Sequence, residues 1–164
     1  MGNTSITDLL MRDNAFQMKL TVSASGVVIA SATGVIENNY ISAGFYGLQI
    51  LVPAGGSPSS TLTVSDNKIA VIGINTRNAL RVDDGTVTFV DNDLSGLSAS
   101  VQSCAVSGTG AVTPYKNLRG LSAAIPVIAG SVWDFYGKSV PAAGAAGWAC
   151  SVAGASGAAT WVAL

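Results

Sequence analysis

Apolar and polar residues alternate along this chain in short runs, and the runs return at a nearly fixed interval. Five asparagines mark them: Asn14, Asn39, Asn67, Asn92 and Asn117, separated by 25, 28, 25 and 25 residues. Five positions before each stand Leu9, Gly34, Leu62, Val87 and Val112, and three before stand Met11, Ile36, Val64, Phe89 and Pro114. Two positions after stand Phe16, Ile41, Ile69, Leu94 and Arg119. Apolar residues at every second position belong to half-buried strands, whereas a helical face repeats every three or four residues. The one long interval contains Val52-Pro-Ala-Gly-Gly-Ser-Pro-Ser-Ser60, a loop-forming stretch, so its extra residues are expected outside the regular core.

A repeat of this length holding several short strands predicts an all-β fold. The expected architecture is a short right-handed parallel β-helix of about five coils over residues 5–125, each stacked on the last at ~4.8 Å. Second strands are expected at Leu48-Gln-Ile50, Leu80-Arg-Val82 and Cys104-Ala-Val106, with Gly34, Gly85 and Gly110 near corners. Stacking places the five asparagines in one column, where each amide can bond to the next in a structural ladder. An antiparallel sandwich would share the short strands and Gly-rich turns, but it does not require constant spacing.

The flanking positions carry charge in register. Asp13, Asn38, Asp66, Asp91 and Lys116 precede the asparagines; Ala15, Tyr40, Lys68, Asp93 and Leu118 follow them. Coil-to-coil pairs Asp91–Lys116 and Lys68–Asp93 are therefore expected. Pro114 in a ladder strand and Arg119 in an apolar column mark a capping coil, so the solenoid is expected to end near residue 120.

Composition narrows the function. Hydrophobic residues make up 49% and charged residues 10%, against the roughly one quarter usual for charged residues. So little charge on a soluble surface points to burial against other copies. The net charge of −1 excludes electrostatic binding of nucleic acid. The chain has no histidine, which excludes Ser-His-Asp chemistry and the common zinc enzymes. Cys104 and Cys150 have no metal or redox spacing; one bridge between them is open, buried free thiols are the favoured reading, and no cofactor or metal is expected. Met1 to Leu10 lacks the form of a signal peptide. The low-charge stretch Ser139 to Leu164 is Ala and Gly broken by polar residues, so no membrane insertion is expected.

From residue 126 to 164 the composition shifts. This segment holds all three tryptophans, and its only charged residues are Asp134 and Lys138. A small β meander is expected there, with Trp133, Trp148 and Trp161 clustered as its core or, less favoured, as a platform for sugar rings. The stretch Gly147-Trp-Ala-Cys150, followed by Ala153-Gly-Ala-Ser-Gly157 and Thr160-Trp161, resembles a C-terminal ending of bacteriophage tailspikes and tail fibres. The upstream Asn-x-Ile coils are similar to the pectate-lyase-like β-helix of the same proteins. The resemblance implies a homotrimer on the virion, in the phage tail beside other tail proteins, acting at the cell surface on bacterial polysaccharide.

Candidate site residues follow from these readings. Asp66 and Asp91, stacked one coil apart, approach the ~5–5.5 Å carboxylate separation of a retaining glycosidase, and Asp83-Asp84 is a second carboxylate cluster. All four also read as ordinary turn residues, the favoured view. Tyr40, Tyr46, Arg77, Arg81, Trp133 and Trp148 are candidates for carbohydrate binding, which needs aromatic platforms and fixed polar groups. Three functions remain: a structural and receptor-binding tail component, a polysaccharide-degrading enzyme, and a β-helical adhesin fragment.

Overall fold

The inward positions of each repeat lie five and three residues before the asparagine, then at the asparagine itself and two residues after it. The alternation therefore changes phase by one residue at every repeat, which a straight strand cannot do. In a computed structural model the residue before each asparagine absorbs the slip by adopting left-handed backbone. Values of φ are 58° at Asp13, 52° at Asn38, 55° at Asp66, 53° at Asp91 and 52° at Lys116. Asp and Asn tolerate this conformation better than other side chains, which accounts for their place in four of the five bends. Each bend is a corner that turns the chain from one sheet to the next.

The structure describes residues 6–18, 24–53, 59–71, 77–99, 101–122, 126, 134–142, 145–154 and 157–164. Among them there is no helix. The first face is a five-stranded parallel sheet of β1 (Ile6–Arg12), β4 (Ala32–Glu37), β7 (Thr61–Ser65), β10 (Thr86–Val90) and β12 (Ala111–Tyr115). Beyond the bend, β2 (Ala15–Gln17), β5 (Tyr40–Ala43) and β8 (Lys68–Val71) make the second face. Bridges from Lys68 to Asp93 and from Asp93 to Leu118 carry that face on to β13 (Asn117–Ser122). The third face holds β3 (Val27–Ile29), β6 (Tyr46–Ile50), β9 (Asn78–Val82) and β11 (Gln102–Val106). The chain is thus a parallel β-solenoid of about four turns, with the first two sides of a fifth supplied by β12 and β13.

Beyond β13 one more strand adds in parallel before the direction reverses. β14 (Asp134–Ala142) pairs parallel with β13, and β15 (Ala145–Val152) and β16 (Thr160–Ala163) follow antiparallel. The meander is therefore the second face continued upward. Pro114 sits in β12, the outermost strand of the first face, where its missing N–H faces no further strand.

Ile36, Val64 and Phe89 from the first face meet Ile41, Ile69 and Leu94 from the second and Leu48, Ile50, Leu80 and Val82 from the third, all fully buried. At the corner between the second and third faces the chain places small residues, Gly26, Gly47, Ala79 and Ser103, one per turn. A side chain on Gly47 would place its Cβ 2.4 Å from the Ile69 methyl and 2.6 Å from the Ala79 carbonyl oxygen. Big residues in one column thus require small ones in the next.

Two expectations need correction. Gly34 is not at a corner. It lies inside β4 at φ 142°, opposite the irregularity in β1, where a Cβ would strike the Leu9 carbonyl oxygen. Asp91 and Lys116 form no ion pair, because Lys116 Nζ lies over the Tyr115 ring, 5.0 Å from its centroid. Lys68 and Asp93 do pair, at 3.4 Å.

The asparagines hold the turns in register. Asn67 Oδ1 accepts from the backbone N and the Nδ2 of Asn39, both at 3.0 Å. Asn67 N and Nδ2 in turn donate to Asn92 Oδ1, again at 3.0 Å. The Nδ2 group also donates to Ser65 O at 2.8 Å and to Ile36 O of the preceding turn at 2.9 Å. The same pattern runs from Asn14 to Asn117, ending where Asn117 Nδ2 donates to Phe89 O at 2.9 Å.

Replacing fully buried Asn67 by Ala removes the acceptor of two Asn39 donors and a donor to carbonyls of two turns. The expected loss is about 2–4 kcal/mol in urea unfolding, against less than about 1 kcal/mol for exposed Asn14→Ala. Gly47→Val is expected to cost about 1–3 kcal/mol or more by overpacking. Unchanged midpoints for Gly47→Val would contradict the close packing at that corner.

Candidate functional site

The column that carries Phe16, Ile41, Ile69 and Leu94 ends in Arg119, and the small-residue column ends in Ser103. Both columns become polar in the same layer, and the two residues meet. Arg119 is only 3% exposed. Its Nη2 donates to Val101 O at 2.9 Å and its Nη1 to Ser103 Oγ at 3.4 Å. Ser103 Oγ donates to Asp134 Oδ2 at 2.5 Å, so a fully buried carboxylate from β14 balances the buried guanidinium through one hydroxyl. A buried charge without such a partner is strongly destabilising. Arg119 Nε has no hydrogen-bond partner.

The inner face of the meander closes over this layer. Trp148, Cys150 and Trp161 are buried together, with Tyr136 against them, its ring edge-on to Trp161 at 5.3 Å between centroids. Burial pushes the Cys150 thiol up to about 11, with the nearby Asp134 charge acting in the same direction. Burial also raises the Tyr136 phenol, while its hydrogen bond and charge contact with Arg119 work the other way. Both cysteines are free thiols, Cys104 partly buried and Cys150 buried.

Two clefts flank this cap. One of about 660 Å³ is lined by Asp93, Ser95, Leu118, Arg119, Gly120 and Tyr136. Asp93 Oδ1 accepts from Ser95 N at 2.9 Å and Oδ2 meets Lys68 Nζ. Partial burial opposes ionisation of Asp93, yet bonds from Ser95 and the charge of Lys68 hold its carboxyl below the ordinary value. The other cleft, about 550 Å³, is mainly apolar and lies between Asp91, Tyr115 and Lys116 at the last corner and Phe135, Ala149 and Leu164 of the meander.

The candidates read from the sequence do not form one site, although Asp66 and Asp91 do occupy equivalent positions in neighbouring turns. Asp66 and Asp91 are exposed bend residues, and Asp91 borders the apolar cleft. Asp83 accepts from Ser107 Oγ, from Arg81 Nε at 2.6 Å and from Gln49 Nε2 at 3.4 Å. Desolvation opposes these bonds, but together they lower its pKa. Asp84 accepts from Thr109 Oγ1 at 2.5 Å, and its pKa is lowered by Thr109 first and then Ser59. Both carboxylates tie the third face to the corner before the next turn.

Tyr40 stands on the outer second face, in register with Lys68. Tyr46 is buried at the start of β6, its ring 4.2 Å from that of half-buried Phe45. The Arg77 guanidinium lies 6.0 Å from the Phe45 ring centroid, and Arg81 projects from β9 to pair with Asp83. Trp148 is in the meander core, and Trp133 lies outside the described residues. These groups do not converge on one site. Among the described residues no group of three or more His, Cys, Asp or Glu is placed to hold a metal ion.

Sequence reasoning missed Ser103, Asp134 and Tyr136 as members of the cap. The available signal was the simultaneous change to polar residues at Arg119 and Ser103 in two neighbouring columns.

The fold defines the chain as a parallel β-solenoid protein closed at one end by an antiparallel meander. No family model, curated protein or solved structure matches it.

Because the folded Cys150 thiol titrates above its unfolded value of 9.0, its contribution to stability is complete below pH 9 and is lost as the pH rises to about 11. Unfolding midpoints are expected to fall over that interval, and less steeply in Cys150→Ala. At pH 8 a thiol reagent should modify Cys104 first and Cys150 only on unfolding. Equal rates for the two thiols would contradict the buried placement.

Proposed function

We propose that this chain is a structural and receptor-binding segment of a bacteriophage tailspike or tail fibre. In this reading it works as a homotrimer, takes its place in the virion tail beside other tail proteins, and binds polysaccharide of the bacterial surface. The observation that carries the reading is the outer surface. Ile6, Leu10, Val28, Val106, Val152 and Val162 are all exposed on a chain with only 17 charged residues. Such surface is stabilised by covering it, at about 25 cal/mol per Å² of apolar area, and symmetric copies of one chain are the usual cover.

The tail motif adds a second support. Its residues are those that hold the meander together: Cys150 stands opposite Trp161, and Trp148 and Trp161 are both buried. Catalysis is not part of this reading, since Asp66 and Asp91 are exposed at bends and Asp83 and Asp84 are bound into a corner.

Light scattering on a sizing column is expected to give a mass near three times the 16.4 kDa chain, stable on dilution. The trimer is further expected to be retained by immobilised capsular or O-antigen polysaccharide without releasing reducing ends. A monomer that binds no such polysaccharide overturns the reading; a release of reducing ends lost in Asp66→Ala or Asp91→Ala replaces it with the enzyme.

A further inference from the structure

The residue after each asparagine points outward, because the asparagine before it and the core residue after it both point in. Bridges and strand pairs carry this outward row across the upper second face, where Lys68, Asp93, Leu118, Phe135, Ala149 and Val162 stand side by side. The pleat keeps it outward in the meander as well. Asp134 before Phe135 is buried, and so are Trp148 and Cys150 on either side of Ala149 and Trp161 before Val162.

The row changes character halfway. Its lower part is polar, with Lys68 and Asp93 paired at 3.4 Å. From Leu118 onward it is apolar across four strands: Leu118 and Phe135 are half-buried, Ala149 is a small residue between larger ones, and Val162 is exposed. The 550 Å³ cleft opens beside these residues, bounded by Leu164 of the meander and by Tyr115 at the last corner. Leu164 and Tyr115 are exposed too.

The rim of this face carries one charge of each sign. Asp91 and Lys116 stand at the same corner in successive turns, and among the described residues neither takes part in an ion pair. Lys116 lies over the Tyr115 ring instead. A second copy of the chain matches such a face by construction. It brings an apolar row for the apolar row, an Asp91 for each Lys116 and a Lys116 for each Asp91. With the solenoid axes parallel, the two charges differ in height by only one strand spacing, ~4.8 Å.

We propose that the outer face of the meander is the contact between copies of this chain. Leu118, Phe135, Val162 and Leu164 pack against a neighbouring copy, and Lys116 of each copy pairs with Asp91 of the next. The inference rests on the homotrimer reading and names the surface and the charged pair that join its subunits.

The test is sedimentation velocity on the full chain over a range of concentrations, for the natural sequence and for variants at exposed positions. Val162→Asp is expected to weaken association tenfold or more. Lys116→Asp should weaken it as well by setting like charges together, and adding Asp91→Lys to the same chain should restore it. Protection of the Cys150 thiol from reagent shows that the meander stays folded in each variant. Undiminished association in both Val162→Asp and Lys116→Asp overturns the face and leaves the homotrimer reading intact, since the copies then meet elsewhere. Loss of association in Lys116→Asp without recovery in the swapped chain overturns the charged pair. A dimer broken by Val162→Asp supports the face and overturns the trimer, whereas a monomer at every concentration overturns both.

Discussion

Everything in this molecule depends on the bend before each asparagine and the amide that sits inside it. A left-handed residue turns the chain through a corner, and the next residue points its amide into the core, where water cannot satisfy it. Its oxygen takes two N–H groups from the preceding turn, and its nitrogen donates within its own turn and to the turns on either side. Slipping one turn by a residue would orphan all of these groups at once and would turn every core side chain outward. The ladder therefore fixes register for the apolar columns beside it.

Those columns are coupled to one another. Ile69 occupies space that only Gly47 can leave free, and Ile41 stands in the same relation to Gly26. The top layer keeps this pairing but changes its chemistry, with Arg119 reaching Ser103. An inward guanidinium ends the apolar stack, because a further apolar turn would leave the charge without its hydroxyl and carboxylate. The meander answers with Asp134, bonded to Ser103, and with the packed cluster of Tyr136, Trp148, Cys150 and Trp161. Capping and joining the C-terminal strands are thus one structural solution.

The cap also shapes the outer surface. Continuing the second face through β13 to β16, while the fourth turn breaks away at Ser95, creates a step that no regular stack would have. The two clefts lie at that junction, and the polar one draws its residues from the fourth turn, the fifth turn and the meander. Along the regular part of the solenoid, by contrast, Tyr40, Arg77 and Arg81 are spread over different faces. In a repeating architecture, distinctive chemistry gathers where the repeat fails.

Strand positions on the first face, the asparagine column and the third-face strands at Leu48, Leu80 and Cys104 were legible because stacking writes one residue type into one column. The phase slip at each asparagine was also written there, between inward Val64 and inward Asn67, and it marked the corner that a straight strand cannot make. Local sequence did not determine β3, a three-residue strand with no repeat partner before it, nor the inward path of Gly34. It also misplaced Lys116: expected to pair with Asp91 of the turn below, it lies over the ring of its sequence neighbour Tyr115. The assembly of Arg119, Ser103, Asp134 and Tyr136 was decided only by tertiary structure. Those residues are up to 33 positions apart, from Ser103 to Tyr136, and only the fold brings them to one layer. A column repeats and can be read by counting, whereas a cap occurs once and depends on how the last turn meets the strands that follow.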